Sequence, residues 1–377
     1  MRILYISQYY PPATHGGAVC VNHILHELSK SNEILHFTAE PSGPIFKNVT
    51  TLFGHDVPAI FQHNLSYLLN IRKIIQYARK FRPHVILAQH QVDHLASLTA
   101  MGLGKLLKIP VVIRAEDIVN GDLPLSQLPI FVYCEFLNDL TLHFAKKASK
   151  FLVATSEIVD YLHIKRGFLK RKLGVSPNGV SLEMFKNVEN PYEYDGDPVF
   201  VLMGSMAPAD NVLLLVRSAP AILEEYPKSK FVFIGEGPEI EKAHNLSRAL
   251  NVEKHFLFLG KVPHEHVPRY LISADIGIGP LRPTNENRMT VPLKILEYMA
   301  AKLPVISVQI SKDVLRNNDT GIVINTASVE EFTKRILYLL DNKKIQENLS
   351  TRAYQNITKY DWRNIVKDLE KELMNVS

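Results

Sequence analysis

Short apolar, β-branched segments alternate with amphipathic stretches from one end of this 377-residue chain to the other. Such alternation is typical of βαβ units, in which helices join parallel strands and cover the sheet. Strands are predicted in the first half at residues 3–7, 34–38, 85–88, 111–114 and 151–155, and helices at 18–30, 65–81 and 94–107. The alternation restarts with strands at 199–203, 231–234, 256–259, 276–279, 305–307 and 322–324. The sequence therefore predicts an α/β chain with two doubly wound domains in series.

Turn residues mark the boundary between the two halves. Residues 177–179 (Pro-Asn-Gly) and residues 190–198 are rich in turn formers and lack periodicity, so we place a linker near residues 180–198. At about 150 residues per domain, the length also favours two domains over one. The predicted layout is an N-terminal domain at 1–185, a C-terminal domain at 195–358 and a terminal helix at 359–377 that packs back on the first domain.

Composition and charge exclude several classes of protein. The formal net charge of +5 is too small to indicate a nucleic-acid partner, although it permits an anionic substrate or membrane surface. Cys20 and Cys134 form no C-x-x-C pair, so neither a disulfide framework nor a thiolate zinc site is predicted. Apolar runs stay shorter than the 18 residues typical of transmembrane helices. We therefore predict a cytoplasmic protein, with any membrane contact peripheral.

Glycine turns follow two predicted strands. Gly16 and Gly17 precede the first predicted helix, and Gly235 follows the strand at 231–234. At such a turn, free N–H groups and the positive end of a helix dipole can hold a phosphate. A plain tight turn is the alternative, because neither turn carries the G-x-G-x-x-G pattern of dinucleotide-binding enzymes.

Residues 279–301 combine a strand end, a long polar loop and a helix. Pro292 suits a first helical turn, so the helix is predicted to begin just after it. Glu297 then lies about one turn into the helix, where it can bind hydroxyls of a ligand at the helix start. A surface glutamate without a ligand is the alternative.

Polar residues also follow strands of the first half. His90 and Glu116 come at carboxyl strand ends, where α/β proteins build their sites, and we predict that both contact an acceptor. An ordinary polar loop is the alternative. The i,i+4 spacing of His90 and His94 also fits a metal pair, but no third ligand accompanies it, so no metal site is predicted.

An amphipathic basic segment spans residues 65–82. Apolar residues recur there at helical spacing, with Arg72, Lys73, Arg79 and Lys80 around them. Such a helix can rest on an anionic membrane surface. A normally packed helix with a solvated basic face is the alternative.

The order and spacing of several short motifs resemble those of glycosyltransferase family 4, over nearly the whole chain. The motifs are Gly16-Gly17, Ser176-Pro177-Asn178-Gly179-Val180 with Phe185, Ile234-Gly235-Glu236-Gly237-Pro238, Phe258-Leu259-Gly260-Lys261-Val262, Ala274-Asp275-Ile276-Gly277-Ile278, the run 292–301 followed by Pro304-Val305-Ile306, and Trp362. The resemblance implies the GT-B architecture, two facing Rossmann-like domains with parallel sheets flanked by helices. It also implies sugar transfer from a nucleotide-diphosphate sugar, with retention of anomeric configuration, no cofactor and no obligatory metal.

The resemblance further assigns donor-binding residues. Glu297 is similar to the second glutamate of the family's E-x7-E motif, which holds the ribose hydroxyls. The resemblance also implies that the N–H groups of Leu293 and Lys294 face the donor phosphates and that the backbone of Val262 contacts the base. By the same resemblance, the glycine turns are expected to belong to this donor site, through Gly16, Gly17, Gly204 and Gly235.

Two departures from the family pattern affect the donor site. Met289 stands where the first glutamate of E-x7-E is expected, and we predict that Glu286 substitutes for it. Beside Gly204, Ser205 and Asp210 replace the arginine and lysine that usually grip the diphosphate.

Other residues must therefore compensate the phosphate charges. We expect Lys294, Arg282 and Arg288 to do so. A third departure is Glu116, which replaces a frequent histidine and can act on an acceptor hydroxyl.

The predicted function is transfer of a sugar from a nucleotide-sugar donor to a sugar or lipid-linked acceptor, in polysaccharide, glycolipid or glycoprotein glycan assembly. Two alternatives stay open. One is a non-catalytic glycosyltransferase-like partner subunit, whose missing cations reflect decay of the donor site. The other is a sugar-nucleotide 2-epimerase, which shares the two-domain architecture.

Overall fold

A computed structural model describes residues 1–7, 16–38, 46–53, 62–90, 95–116, 118, 128–285 and 287–377. The chain divides into two units. The first combines Met1–Asn178 with Trp362–Ser377, and the second comprises Gly179–Asp361.

The first unit is built on a parallel sheet covered by helices. Its seven strands are β1 (Arg2–Ile6), β2 (Glu33–Thr38), β3 (Val49–Phe53), β4 (Val85–His90), β5 (Val111–Ala115), β6 (Lys150–Val153) and β7 (Leu173–Val175), in the spatial order β3-β2-β1-β4-β5-β6-β7. Its helices before the second unit are α1 (Gly16–Leu28), α2 (Gln62–Leu69), α3 (Ile71–Phe81), α4 (Ala96–Leu107), α5 (Leu128–Ala145) and α6 (Ser156–Arg166).

Burial on both faces explains the apolar sequences of the central strands. On β1, Ile3 and Leu4 are fully buried, and Ile3 pairs in parallel register with Ile34 of β2 and Val85 of β4. Side chains on both faces of such a strand meet helices, so the run is continuously apolar rather than alternating.

The second unit repeats this plan with six parallel strands. They are β8 (Val199–Met203), β9 (Lys230–Ile234), β10 (Phe256–Phe258), β11 (Ile276–Gly279), β12 (Val305–Val308) and β13 (Ile322–Ile324), in the order β10-β9-β8-β11-β12-β13. The helices are α7 (Leu213–Glu225), α8 (Ile240–Ala249), α9 (Val267–Leu271), α10 (Leu293–Ala300), α11 (Val329–Leu340) and α12 (Lys343–Ile357). Phe231 stacks between Phe200 and Phe256 in its core, with ring centroids 5.2 and 4.9 Å apart.

The C-terminal helix α13 (Trp362–Met374) belongs to the first unit and packs against α1. The rings of Trp362 and His23 stack with centroids 5.3 Å apart, and the Ser31 hydroxyl donates to Glu370 at 2.7 Å. The helix begins at Trp362 rather than at residue 359.

The unit boundary differs from the predicted one. The first unit ends at Asn178 rather than at residue 185, and residues 180–198 belong to the second unit instead of forming a separate linker. Tertiary hydrogen bonds explain the difference, since the Tyr192 N–H donates to the Arg269 carbonyl at 3.0 Å.

The predicted fold class, two α/β units with parallel sheets, is confirmed, and all eleven predicted strands are present. The helix predicted at 65–81 is instead two helices, α2 and α3, separated at Asn70. The Asn70 side chain donates to the Ser66 carbonyl at 2.8 Å, a local bond of the kind that competes with helix continuation. In the part of the chain that the structure describes, no helix is both long and apolar enough to cross a membrane.

The strand order reverses once in each sheet, between β1 and β4 and between β8 and β11. Open α/β sheets bind ligands beyond the carboxyl ends of their strands at such switch points. These two places are therefore where functional residues are expected.

Candidate functional site

Two glycine turns form the floor of the site at the β8/β11 switch point. Gly204 follows β8 with φ +156°, and Gly235 follows β9 with φ +135°. Residues other than glycine rarely adopt these backbone conformations. The Gly204 N–H donates to the Ile234 carbonyl at 3.1 Å. A Cβ atom on Gly235 would collide with the Gly204 carbonyl oxygen. The turns therefore pack backbone against backbone.

Helix α10 begins directly after Pro292, as predicted, and the Lys294 side chain of its first turn lies beside Gly204. The N–H groups of Leu293 and Lys294 lie in this turn, where helix N–H groups have no partner within the helix. The Tyr298 hydroxyl accepts from the Met203 N–H at 2.7 Å and fixes α10 to the end of β8. Backbone donors and the positive end of the helix dipole thus meet at one place.

Asp210, which stands where the resemblance predicts a lysine, forms an ion pair with Lys294. The Lys294 ammonium donates to Asp210 Oδ1 at 2.5 Å, beside Gly204. The Ser205 hydroxyl and the Ala207 N–H donate to Asp210 Oδ2 at 2.8 and 3.1 Å. Burial alone would raise the pKa of Asp210, but the charge and hydrogen bond of Lys294, helped by the other two donors, lower it overall. Asp210 is therefore an ionised partner that holds Lys294.

A second side-chain pair joins α10 to the loop after β10. Nε2 of His264 is 2.6 Å from Oε1 of Glu297, which is buried in the helix. Burial would lower the pKa of His264, but the hydrogen bond and charge of Glu297, with the charge of Glu265, raise it above its usual value. Glu297 is thus not a bland surface residue.

The loop after β10 reaches the same edge of the sheet. The Gly235 N–H donates to the Gly260 carbonyl at 2.8 Å, which links this loop to the β9 turn. Val262 lies two residues further on and is half-buried.

The cationic loop before α10 is only partly described. Arg282 and Arg288 are both exposed, and the Arg282 N–H donates to the Ala209 carbonyl at 3.0 Å, which ties the loop to the turn that carries Asp210. Glu286, the predicted substitute for the first motif glutamate, lies outside the described residues.

The first unit has its own set of strand-end residues. Gly16 and Gly17 are the first two residues of α1, and the residues between β1 and Gly16 lie outside the described part. Their position at a helix start is the one predicted for an anion site.

A buried network holds Glu116 at the end of β5. The fully buried Arg114 donates to Glu116 Oε1 at 3.3 Å, and Gln89 donates to the same oxygen at 2.8 Å. Arg114 also donates to the Pro177 carbonyl at 2.8 Å and to Asn178 Oδ1 at 3.1 Å. Glu116 is 12% exposed, so a fixed carboxylate borders solvent at this strand end.

The predicted acceptor contact of His90 requires correction. His90 ends β4 as expected, but its ring is fully buried, and its nitrogens lie 3.3 Å from Asn138 Oδ1 and from the Ser97 hydroxyl. A ring enclosed in this way presents no surface to an acceptor, so we assign it a structural role. His94 and Asp117 lie outside the described residues.

Within the described ranges, no group of three or more His, Cys, Asp and Glu side chains is arranged to hold a metal ion.

Comparison with known protein families identifies the family of this chain. The model described as "Glycosyltransferase Family 4" matches residues 14–184, and the model described as "Glycosyl transferases group 1" matches residues 197–342. This chain belongs to glycosyltransferase family 4.

Curated relatives of this glycosyltransferase are distant. The sulfoquinovosyl transferase of Arabidopsis thaliana is 24% identical over 82% of this chain and 59% of its own length, so the match covers little more than half of that protein. The alpha-monoglucosyldiacylglycerol synthase of Acholeplasma laidlawii is 23% identical over 94% of this chain and 92% of its own length. Among solved structures, Anabaena HepE in complex with UDP superposes with a TM-score of 0.76 at 15% identity, covering 100% of both chains. These likenesses support a GT-B glycosyltransferase fold.

The structure of the glycosyltransferase groups the predicted site residues by unit. Five predicted residues lie around the β8/β11 switch point: Gly204, Gly235, Leu293, Lys294 and Glu297. Sequence reasoning did not identify His264, Tyr298 or Arg114 as site residues. His264 follows the end of a predicted strand, and this position is a sequence signal for a site residue. Tyr298 and Arg114 carry no such signal, because only their tertiary contacts link them to the site.

Proposed function

We propose that this family 4 glycosyltransferase takes its sugar from a nucleoside-diphosphate sugar, which the second unit binds at the β8/β11 switch point. One observation carries the proposal: the first turn of α10, the Lys294 ammonium and the Gly204 turn converge there, with Glu297 one turn further along the helix. A polyanion and a diol are the ligand groups that such an arrangement suits.

The phosphates are the anionic part of this ligand. The N–H groups of Leu293 and Lys294 and the helix dipole offer fixed positive ends, which need no reorganisation when charge develops on the leaving diphosphate. The Lys294 ammonium adds charged N–H donors, which Asp210 keeps in place while it balances their charge. Arg282 and Arg288 supply further cations from the exposed loop.

The nucleoside is the neutral part. Glu297 accepts hydrogen bonds from the ribose hydroxyls, and the backbone at Val262 contacts the base, as the family resemblance implies. UDP in the Anabaena HepE complex supports this class of ligand.

In the transfer step, the bond between the anomeric carbon and the diphosphate oxygen breaks, and its electron pair leaves with the nucleoside diphosphate. The acceptor oxygen forms the new bond to the same carbon and loses its proton, for which the Glu116 carboxylate is the proposed base. We propose retention of configuration without a metal, as the family resemblance implies.

The first unit is the proposed acceptor side. We propose a sugar or lipid-linked acceptor, and the relative named alpha-monoglucosyldiacylglycerol synthase supports the lipid-linked kind. We also propose a cytoplasmic enzyme with peripheral contact at the inner face of a membrane, through α2 and α3.

Incubation with a panel of nucleotide sugars and acceptors, followed by mass spectrometry, tests the proposal. A glycosylated acceptor together with released nucleoside diphosphate is the expected result. Nucleotide binding without turnover would favour the partner-subunit alternative, and an epimerised donor sugar would favour the 2-epimerase. Identification of a co-purifying nucleotide would define the base.

A further inference from the structure

The pair formed by His264 and Glu297 joins two elements of the proposed donor site. His264 begins the 3-10 turn after β10, close to Val262, and Glu297 is the fifth residue of α10. Their side chains approach to 2.6 Å, with 8% of Glu297 and 31% of His264 exposed. The contact lies where a bound ribose would meet the helix in the proposed function.

The direction of the hydrogen bond follows from the chemistry of the two groups. An ionised carboxylate only accepts hydrogen bonds, so the Nε2–H of His264 is the donor. The protonated ring and the neutral Nε2–H tautomer both supply this proton. Lys294, the cation one turn earlier on α10, donates to Asp210 instead.

We propose that His264 is a positioning residue, which holds Glu297 in the orientation that accepts hydrogen bonds from the ribose hydroxyls. The inference rests on the proposed function. A glutamate side chain has three rotatable bonds, and a fixed bond to one oxygen removes much of the rotamer entropy that ligand binding would otherwise cost. A carboxylate has about four lone-pair sites, so one bond to His264 leaves acceptor capacity for two hydroxyls.

Three variants separate this role from simple packing. His264→Leu removes the donor, and His264→Gln replaces it with an amide N–H. His266→Leu is the matched control, because His266 is an exposed histidine in the same 3-10 turn. Thermal unfolding of each variant shows whether the fold is kept.

The measurement is calorimetric titration with UDP and GDP and with their 2′-deoxy and 3′-deoxy forms. We expect His264→Leu to weaken binding of the better ribonucleotide about tenfold, equivalent to about 1.4 kcal/mol. The preference for the ribonucleotide over a deoxy form should shrink in this variant. His264→Gln should recover most of the affinity, and His266→Leu should bind like the wild type.

Each contrary result has a distinct meaning. Wild-type affinity in His264→Leu, or an equal loss for ribonucleotides and both deoxy forms, would overturn the positioning role while leaving the proposed donor intact. Absence of binding to either nucleotide by the wild type would overturn the proposed nucleoside-diphosphate donor and this inference with it.

Discussion

The Lys294 and Asp210 side chains form the central charged contact of the second unit's site. Asp210 replaces a lysine of the family pattern, and a lysine from α10 reaches the same glycine turn instead. An ammonium group therefore lies at this turn from a different element, with its charge balanced by Asp210. Both side chains are about nine-tenths buried, so each needs the other to remain charged at low cost.

Asp210→Asn should destabilise the fold by about 3 kcal/mol at neutral pH, because it leaves a buried ammonium without its carboxylate. The folded pKa of Asp210 is lowered. Its contribution is therefore fully present above the unfolded value of about 3.9 and is lost as pH falls through the folded pKa. Urea unfolding between pH 7 and pH 2 should show the two proteins converging in acid. Asp368→Asn, at an exposed carboxylate on α13, is the control and should change little. Equal effects of the two substitutions would show that the buried ion pair of Asp210 and Lys294 adds no stability of its own.

Glu116→Ala should lower turnover about a hundredfold, within the range for loss of a general base, while leaving donor affinity unchanged. The carboxylate lies in the first unit, where Arg114 and Gln89 already hold it at a strand end. Asp160→Ala, at an exposed acid on α6, is the matched control. Steady-state kinetics and nucleotide titration measure the two quantities separately. If Glu116→Ala lowered only the thermal stability, Glu116 would have a structural role and not a catalytic one.

For individual residues, the sequence predicts the position in a strand but not the tertiary contacts of the side chain. The strand-end positions of His90 and Glu116 follow from the apolar runs before them, and both are where expected. The burial of the His90 ring depends on contacts with Ser97 and Asn138, which are remote in the sequence or lie on another element. The same holds for His264 and Glu297, because no periodicity reports a contact between a loop and a helix 33 residues apart.

At the scale of elements, the strands that sequence reasoning missed are the two edge strands of the first sheet. β3 and β7 each have a neighbour on one side only, and β7 is three residues long. Such strands carry weaker apolar signals than central strands. Helix α10 was predicted well, because Pro292 fixes its start through local backbone chemistry.

Helices α2 and α3, which form the basic segment at 65–82, differ in how far their apolar side chains are buried. Ile74 and Ala78 of α3 are buried, as in an ordinary packed helix, whereas Leu68 and Leu69 of α2 are more than half exposed. The exposed pair adjoins a helix with a solvated basic face. The proposed contact with an anionic surface would use this exposed pair and that face.

The double variant Arg79→Glu, Lys80→Glu should therefore weaken binding to phosphatidylglycerol vesicles, since each cation near such a surface contributes about 1 kcal/mol. Wild-type binding should fall steeply with salt, because exposed charges are screened beyond about 8 Å at physiological ionic strength. Lys343→Glu, Lys344→Glu on α12 is the control pair. Sedimentation with neutral phosphatidylcholine vesicles completes the test, and equal binding to both vesicle types would argue for packing alone.

At the scale of the whole molecule, the chain passes through two units that share one strand order. The restart of the strand and helix alternation after residue 198 predicted this duplication. The return of α13 to the first unit depends on packing of Trp362 and its neighbours against α1. The exact boundary at Asn178 depends on tertiary hydrogen bonds, which turn residues alone do not encode.

Calorimetric titration with UDP and GDP tests whether the second unit binds a nucleoside diphosphate at the start of α10. Wild-type protein should bind one of them at a single site. Lys294→Ala should bind at least tenfold more weakly, a loss of about 1.4 kcal/mol, while Lys344→Ala at an exposed position on α12 should match the wild type. No saturable binding by the wild type, or equal affinity in Lys294→Ala, would show that the start of α10 is not the nucleotide site.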